Sequence, residues 1–76
     1  MNTLLIFGAG NKAKEITRYI DKKNNSIACY IDNDAAKQGQ KYLGKKIISP
    51  NNIAAYQYQY ILIASIYWKE IREQLI

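Results

Sequence analysis

The sequence predicts an α/β domain, a small three-layer half-fold with a parallel sheet of about four strands in the order 3-2-1-4. Three observations lead there. Nearly continuous apolar runs occupy residues 3–7, 27–31 and 61–64, as in strands covered on both faces. A helix-period pattern fills the gap between the first two runs. The first run also stops at a Gly-x-Gly, the turn that joins a buried strand to a helix.

Thr3 to Phe7 is the first strand. From Asn11 to about Lys22 the apolar positions Ala13, Ile16, Tyr19 and Ile20 fall on one helical face, with Lys14, Glu15, Arg18 and Asp21 mostly outside. Asn24-Asn25-Ser26 ends that helix with turn residues. Ile27 to Ile31 is the second strand, and its Cys29 reads as a small core hydrophobe. Strand, helix and strand within about 30 residues form a βαβ unit with a right-handed crossover.

Asp32-Asn33-Asp34 follows at once. Asp34 or Asn33 caps a short helical turn over Ala35–Gln38, with Gly39 as its stop. Lys41 to Gly44 reads as a loop and Lys46-Ile47-Ile48 as a short edge strand. Ser49-Pro50 starts a helix of one or two turns through Ala55, with a Ser cap and Pro at the first helical position. Tyr56-Gln57-Tyr58-Gln59-Tyr60 either extends the next strand or covers an exposed edge. Ile61 to Ala64 is the last strand, and Ser65 ends it. Trp68, Ile71 and Leu75 are spaced for the inner face of a closing helix.

Composition narrows the function. Seventy-six residues make one domain, 1–76, and a chain this short buries roughly 60% of the surface it exposes unfolded. A homo-oligomer or a catalytic partner domain is therefore expected. One cysteine and no histidine exclude a disulfide framework and argue against a metal site. No apolar run approaches the roughly 18 residues of a membrane span, and no signal peptide precedes the first strand. The expected location is cytoplasmic, with no membrane partner. The formal charge of +5 favours anionic partners. The lysines form pairs, Lys22-Lys23 and Lys45-Lys46, and no stripe. No nucleic-acid-binding signature accompanies them, which argues against nucleic acid.

Gly8-Ala9-Gly10-Asn11-Lys12-Ala13 fits Gly-x-Gly-x-x-(Gly/Ala). The first glycine permits the turn, the second lets a phosphate approach the backbone, and the small third position lets helix and strand pack. A helix start leaves unpaired amides and partial positive charge, so the amides of residues 8–13 are expected to converge on an anion pocket, with Lys12 within reach. Asp32 lies 22 residues beyond Gly10, near the spacing of a ribose-binding acid. Its other reading is a cap or turn residue. An acid there disfavours a 2′-phosphate. In a 3-2-1-4 sheet Ser65 faces the glycine turn across the switch-point crevice, or else caps the next helix. The expected ligand residues are Gly8, Ala9, Gly10, Asn11, Lys12, Asp32, Asn33 and Ser65. No nucleophile–base pair and no paired carboxylates appear, so catalysis within this chain is not expected.

Five stretches together resemble a known pattern: Ile6-Phe7-Gly8-Ala9-Gly10, Tyr30-Ile31-Asp32-Asn33-Asp34, Lys37-Gln38-Gly39, Leu43 to Pro50, and Ile61 to Ser65. The set is similar to the N-terminal Rossmann-like domains of bacterial surface-polysaccharide enzymes. Such domains precede sugar-nucleotide acyltransferases, methyltransferases, glycosyltransferases and nucleotide-sugar dehydratases. In the acyltransferases the glycine turn and the acid after strand two hold a uridine nucleotide sugar. The resemblance implies that role for Gly8, Gly10, Asp32, Asn33 and Ser65. Gln59 departs from the pattern, standing where relatives often have an acid. No catalytic domain is present among the 76 residues, so the resemblance implies a binding module, a fragment or stand-alone version of a larger enzyme's N-terminal domain. Three readings stand: a module for a nucleotide or UDP-linked sugar, a non-catalytic dimerisation or docking module with an empty cleft, and a fragment of an NAD-dependent oxidoreductase.

Overall fold

The computed structural model describes all 76 residues. The elements are β1 (Asn2–Phe7), α1 (Asn11–Tyr19), β2 (Asn25–Ile31), β3 (Lys41–Tyr42), β4 (Lys45–Ile48), a 3-10 helix (Pro50–Ala55), β5 (Tyr60–Ile63) and α2 (Trp68–Leu75). They form one five-stranded sheet in the order β3-β4-β2-β1-β5. The pairs β1–β2, β1–β5 and β2–β4 are parallel, and β3–β4 is antiparallel.

The count and order thus differ from the expected four strands, because 41–42 is an edge strand and not a loop. A two-residue turn, Leu43-Gly44, closes the β3–β4 hairpin, and both residues have positive φ, 50° and 83°. Two-residue hairpins need that geometry to match strand twist. Leucine disfavours it, so the turn lacks its usual sequence signal.

The sheet separates two apolar layers. On one face Ile6, Ile27, Tyr30 and Ile47 meet Ala9 of the glycine turn and Ala13 of α1, and Ile16 and Ile20 pack alongside. On the other, Leu5, Phe7, Cys29, Ile31 and Ile48 meet Ile71 of α2, with Ile53 and Tyr56 beside them. A bulge opposite Leu4/Leu5 makes this possible, since Leu4 pairs with Ile27 and Leu5 with Cys29. The extra residue, Ala28, flips the alternation, so Ile27 and Cys29 face opposite layers. No helix is long and apolar enough to cross a membrane.

Three boundary or burial expectations change. Helix α1 stops at Tyr19, where Ile20 turns extended, and Tyr19 is 84% exposed, not on the core face. Trp68 opens α2 as the chain leaves the sheet and is 47% exposed, so Ile71 and Leu75 alone hold that helix. Residues 35–39 form turns instead of a short helix, with Asp34 Oδ1 accepting the Ala36 N–H at 3.0 Å. Ser49 does cap the 3-10 helix, accepting the Asn51 N–H at 3.2 Å.

Gly8 fixes the end of β1. Its φ is +122°, and a Cβ there would run into the Ala64 carbonyl oxygen. Gly8→Ala is expected to lower unfolding stability by more than about 2 kcal/mol, read by urea denaturation. An unchanged midpoint would mean the turn relaxes freely. Burial pushes the Cys29 thiol up to about 11, which suppresses the thiolate at pH 8. Labelling of Cys29 by a thiol reagent at that pH should track global unfolding, and fast labelling of the folded chain would contradict the packing.

Candidate functional site

The C-terminal ends of β1, β2 and β5 meet at the glycine turn. Two backbone bonds tie it to its neighbours: the Gly8 N–H donates to the Ile31 carbonyl at 2.6 Å, and the Ala64 N–H donates to the Phe7 carbonyl at 2.8 Å. The next amide, that of Ala9, donates to Asp32 Oδ2 at 3.0 Å. The first two amides of the expected anion pocket are therefore consumed by the protein itself. The amides of Gly10, Asn11 and Lys12 donate to no protein acceptor, as the first turn of a helix requires.

Asp32 is less exposed than its position suggests, with a side chain 18% accessible. Its second oxygen, Oδ1, accepts the Asp34 N–H at 2.9 Å. Its own carbonyl accepts from Gln38 Nε2 at 2.9 Å. The carboxylate thus clasps the glycine turn to the loop after β2. Each oxygen keeps a lone pair for a further donor.

Lys37 completes the clasp, and the motif reading missed it. Its ammonium donates to the Ala9 carbonyl at 3.2 Å and lies 3.9 Å from Asp32 Oδ2. Its side chain is 43% accessible, so this ion pair is a modest contact in water. The Lys37-Gln38-Gly39 stretch carried part of the family resemblance without an assigned role. Here Lys37 holds the turn and Gln38 holds the backbone of Asp32. Tyr42 adds a further tether, its hydroxyl donating to the Gly10 carbonyl at 2.7 Å. Tyr42 also meets the buried Tyr30 edge-on, ring centroids 5.2 Å apart, which explains why an edge hairpin bears on the site.

Two hollows flank this ridge. The first, about 310 Å³, lies on the α1 side and is lined by Gly8 to Lys12, Asp32, Lys37 and Ser65 among others. It gathers the free amides and two cations, Lys12 and Lys37. The second, about 250 Å³, lies on the α2 side between Asp32, Asn33, Ser65, Tyr67, Glu70 and Gln74. It holds two carboxylates and no cation. Asn33 and Gln74 form a reciprocal amide pair across it, at 3.1 and 3.0 Å. Ser65 lines both hollows, but its Oγ accepts the Tyr67 N–H at 3.0 Å. That bond closes a turn ahead of α2 and is not the expected helix cap, since the N-cap of α2 is Tyr67 with no side-chain cap bond, and it leaves the Ser65 hydroxyl proton to donate. Gln74 and Tyr67, on or next to α2, were invisible to motif reasoning because nothing local marks them. Only the fold brings Gln74 to Asn33, 41 residues away.

A mostly parallel five-stranded sheet with a glycine turn at the end of β1, helices on both faces and an acid after the second strand make a mixed α/β domain. The family profile "C2185-like, N-terminal" matches residues 1–76, and the chain belongs to that family. No curated protein sequence matches it. Among solved structures, the fold is similar to UDP-D-quinovosamine 4-dehydrogenase from Vibrio fischeri, with a TM-score of 0.75 at 24% identity. That match covers 97% of this chain and 69% of the other.

Removing the clasp tests its weight. Asp32→Ala strips acceptors from two amides and is expected to destabilise the chain by about 1–3 kcal/mol. Asp32→Asn, which keeps one acceptor oxygen, should lose less. Equal melting temperatures for all three proteins would show that the carboxylate holds nothing in place.

Proposed function

We propose that the chain is a binding module for a nucleotide or nucleotide sugar of the UDP-linked kind, serving bacterial surface-polysaccharide synthesis. The observation that carries this reading is the set of free amides at Gly10, Asn11 and Lys12, which open with Lys12 and Lys37 onto one hollow of about 310 Å³. A helix start with two nearby ammonium groups suits a diphosphate. The ligand's other end lies past Gly8, toward the 250 Å³ hollow. There Asp32 accepts from ribose hydroxyls, and the Asn33 and Gln74 amides meet the base. Membership of the C2185-like N-terminal family and a fold shared with a UDP-sugar dehydrogenase support the choice of ligand class. With no histidine and no nucleophile–base pair, the chain binds and leaves chemistry to a partner or a further domain.

The clasp itself favours a second reading. Asp32 already satisfies two backbone amides, which is what a scaffold with an empty cleft, built for dimerisation or docking, would also need. An NAD-binding fragment is a third reading, and the same panel addresses it.

Thermal denaturation with UDP-sugars, NAD, coenzyme A and S-adenosylmethionine separates them. A UDP-sugar at about 100 times its dissociation constant should add about 2.7 kcal/mol, a shift of roughly 10–20 °C for a domain this small. Lys37→Met should weaken that binding about fivefold, a typical loss for a half-exposed charge-assisted contact. It should leave binding of free uridine unchanged. A response to NAD alone would transfer the site to the oxidoreductase reading, and silence across the panel would leave the scaffold.

A further inference from the structure

A third hollow, of about 290 Å³, lies away from the glycine turn, beside the first residues of β2. There Asn25, Ser26 and Ile27 meet the last turn of α1 and the β3–β4 hairpin. Its floor is Ile27 and Tyr30, both buried, with the half-buried Thr17 beside them. Lys22, Leu43 and Lys45, all exposed, stand at its rim. No acidic residue lines it.

Hydrogen bonding gives floor and rim opposite characters. The Thr17 hydroxyl donates to the Ala13 carbonyl at 2.7 Å. In its 3.0 Å contact with the Tyr30 hydroxyl it therefore accepts, and Tyr30 donates. Both hydroxyl protons are spent, so the Thr17–Tyr30 floor offers apolar surface and oxygen lone pairs but no free hydroxyl donor. The rim offers donors. The Lys22 ammonium uses one N–H on the Thr17 carbonyl, at 3.2 Å, and keeps the others. Lys45 has no carboxylate partner, because Lys37–Asp32 is the one ion pair of the chain.

The third rim residue is strained. Leu43 has a φ of 50°, a region that glycine enters freely and a side chain does not. Burial does not offset this, since Leu43 is 47% exposed. What its side chain supplies is an apolar wall to the hollow. Backbone strain of this kind clusters at ligand-binding walls.

We propose that this hollow is a second binding site, for a small phosphate monoester with an apolar body. Two ammonium groups without carboxylate partners suit a phosphate dianion. Phosphate oxygens are acceptors and gain nothing from a floor of lone pairs. The head therefore sits at the rim between Lys22 and Lys45, and the body lies inward against Leu43, Ile27 and Tyr30. A volume near the small end of ligand clefts admits a single ring or a short chain. The site shares no residue with either hollow at the glycine turn, so it stands independently of what the turn binds.

Titration of the ¹⁵N-labelled 76-residue chain with phenyl phosphate, followed by amide chemical shifts, tests the site. The probe should bind with a dissociation constant of about 1 mM or tighter and shift the amides of Ser26, Ile27, Leu43 and Lys45. Inorganic phosphate, the head alone, and phenol, the body alone, should each bind there at least about fivefold more weakly. Amides of Gly10, Asn11 and Lys12 report any binding at the glycine turn separately. Lys45→Met should weaken binding about fivefold, whereas Lys46→Met, the same charge removed from outside the hollow, should not. Leu43→Gly should also weaken binding about fivefold by removing the wall, while leaving the melting temperature unchanged or higher because the turn is relieved. Shifts confined to the glycine turn overturn the proposal. So does inorganic phosphate bound at Ser26 and Leu43 as tightly as phenyl phosphate. Equal losses in the two lysine variants, or wild-type affinity in Leu43→Gly, overturn it as well.

Discussion

The structure depends on how the chain leaves β1. Gly8 must take a positive φ and press against the Ala64 carbonyl, with no room for a side chain. That contact draws β5 against β1 and aims the chain into α1. The Gly8 amide then locks onto Ile31 at 2.6 Å and the Ala9 amide onto Asp32 at 3.0 Å. Three strands are thereby fastened at one point by groups spanning only a few residues of sequence. The binding hollows exist because these strands end together there.

Packing propagates the constraint. Once β1 is fixed, its residues alternate strictly between layers, Leu5 and Phe7 toward α2 and Ile6 toward α1. β2 cannot follow the same alternation with its own sequence. Its Ile27 and Cys29 are two apart yet belong to opposite layers, and the bulge at Ala28 reconciles them. A local irregularity in β2 thus places Tyr30 on the α1 face, where its ring supports Tyr42 and, through it, the Gly10 carbonyl. The second strand shapes the turn from below as Asp32 shapes it from the side.

This explains which features were legible in the sequence. Buried strands announce themselves because both faces are apolar, and the runs at 3–7, 27–31 and 61–64 mark β1, β2 and β5 to within a residue or two. The glycine turn and Asp32 are visible because their spacing is set within one βαβ unit. β3 was not, because Leu43 occupies a positive-φ position that normally advertises itself with Asn or Gly. Tyr19 and Trp68 misled for a different reason. Helical periodicity reports a face, but not where a short helix starts and stops relative to the sheet beneath it. Lys37 and Gln74 reach the site through tertiary structure alone, from a turn and from the last helix.

The dual use of Asp32 also bears on how such a site keeps its shape. An acid held only by a ligand's hydroxyls would leave the glycine turn loose in the free protein, and binding would carry the cost of ordering it. Here the carboxylate accepts the Ala9 and Asp34 amides beforehand, and the Lys37 ammonium holds the Ala9 carbonyl. The turn is ordered without a ligand. On the nucleotide reading, that ordering sets a direction as well as a shape. Lys12, Lys37 and the free amides lie on the α1 side of Gly8, Asp32 lines both sides, and Glu70 lines the α2 side, which has no cation. A molecule with an anionic end and a neutral, donor-bearing end then fits one way round. Reversal would set phosphate beside Glu70 with no cation near it and leave the cations facing a nucleoside. The charge asymmetry across a single glycine therefore does for orientation what the clasp does for geometry.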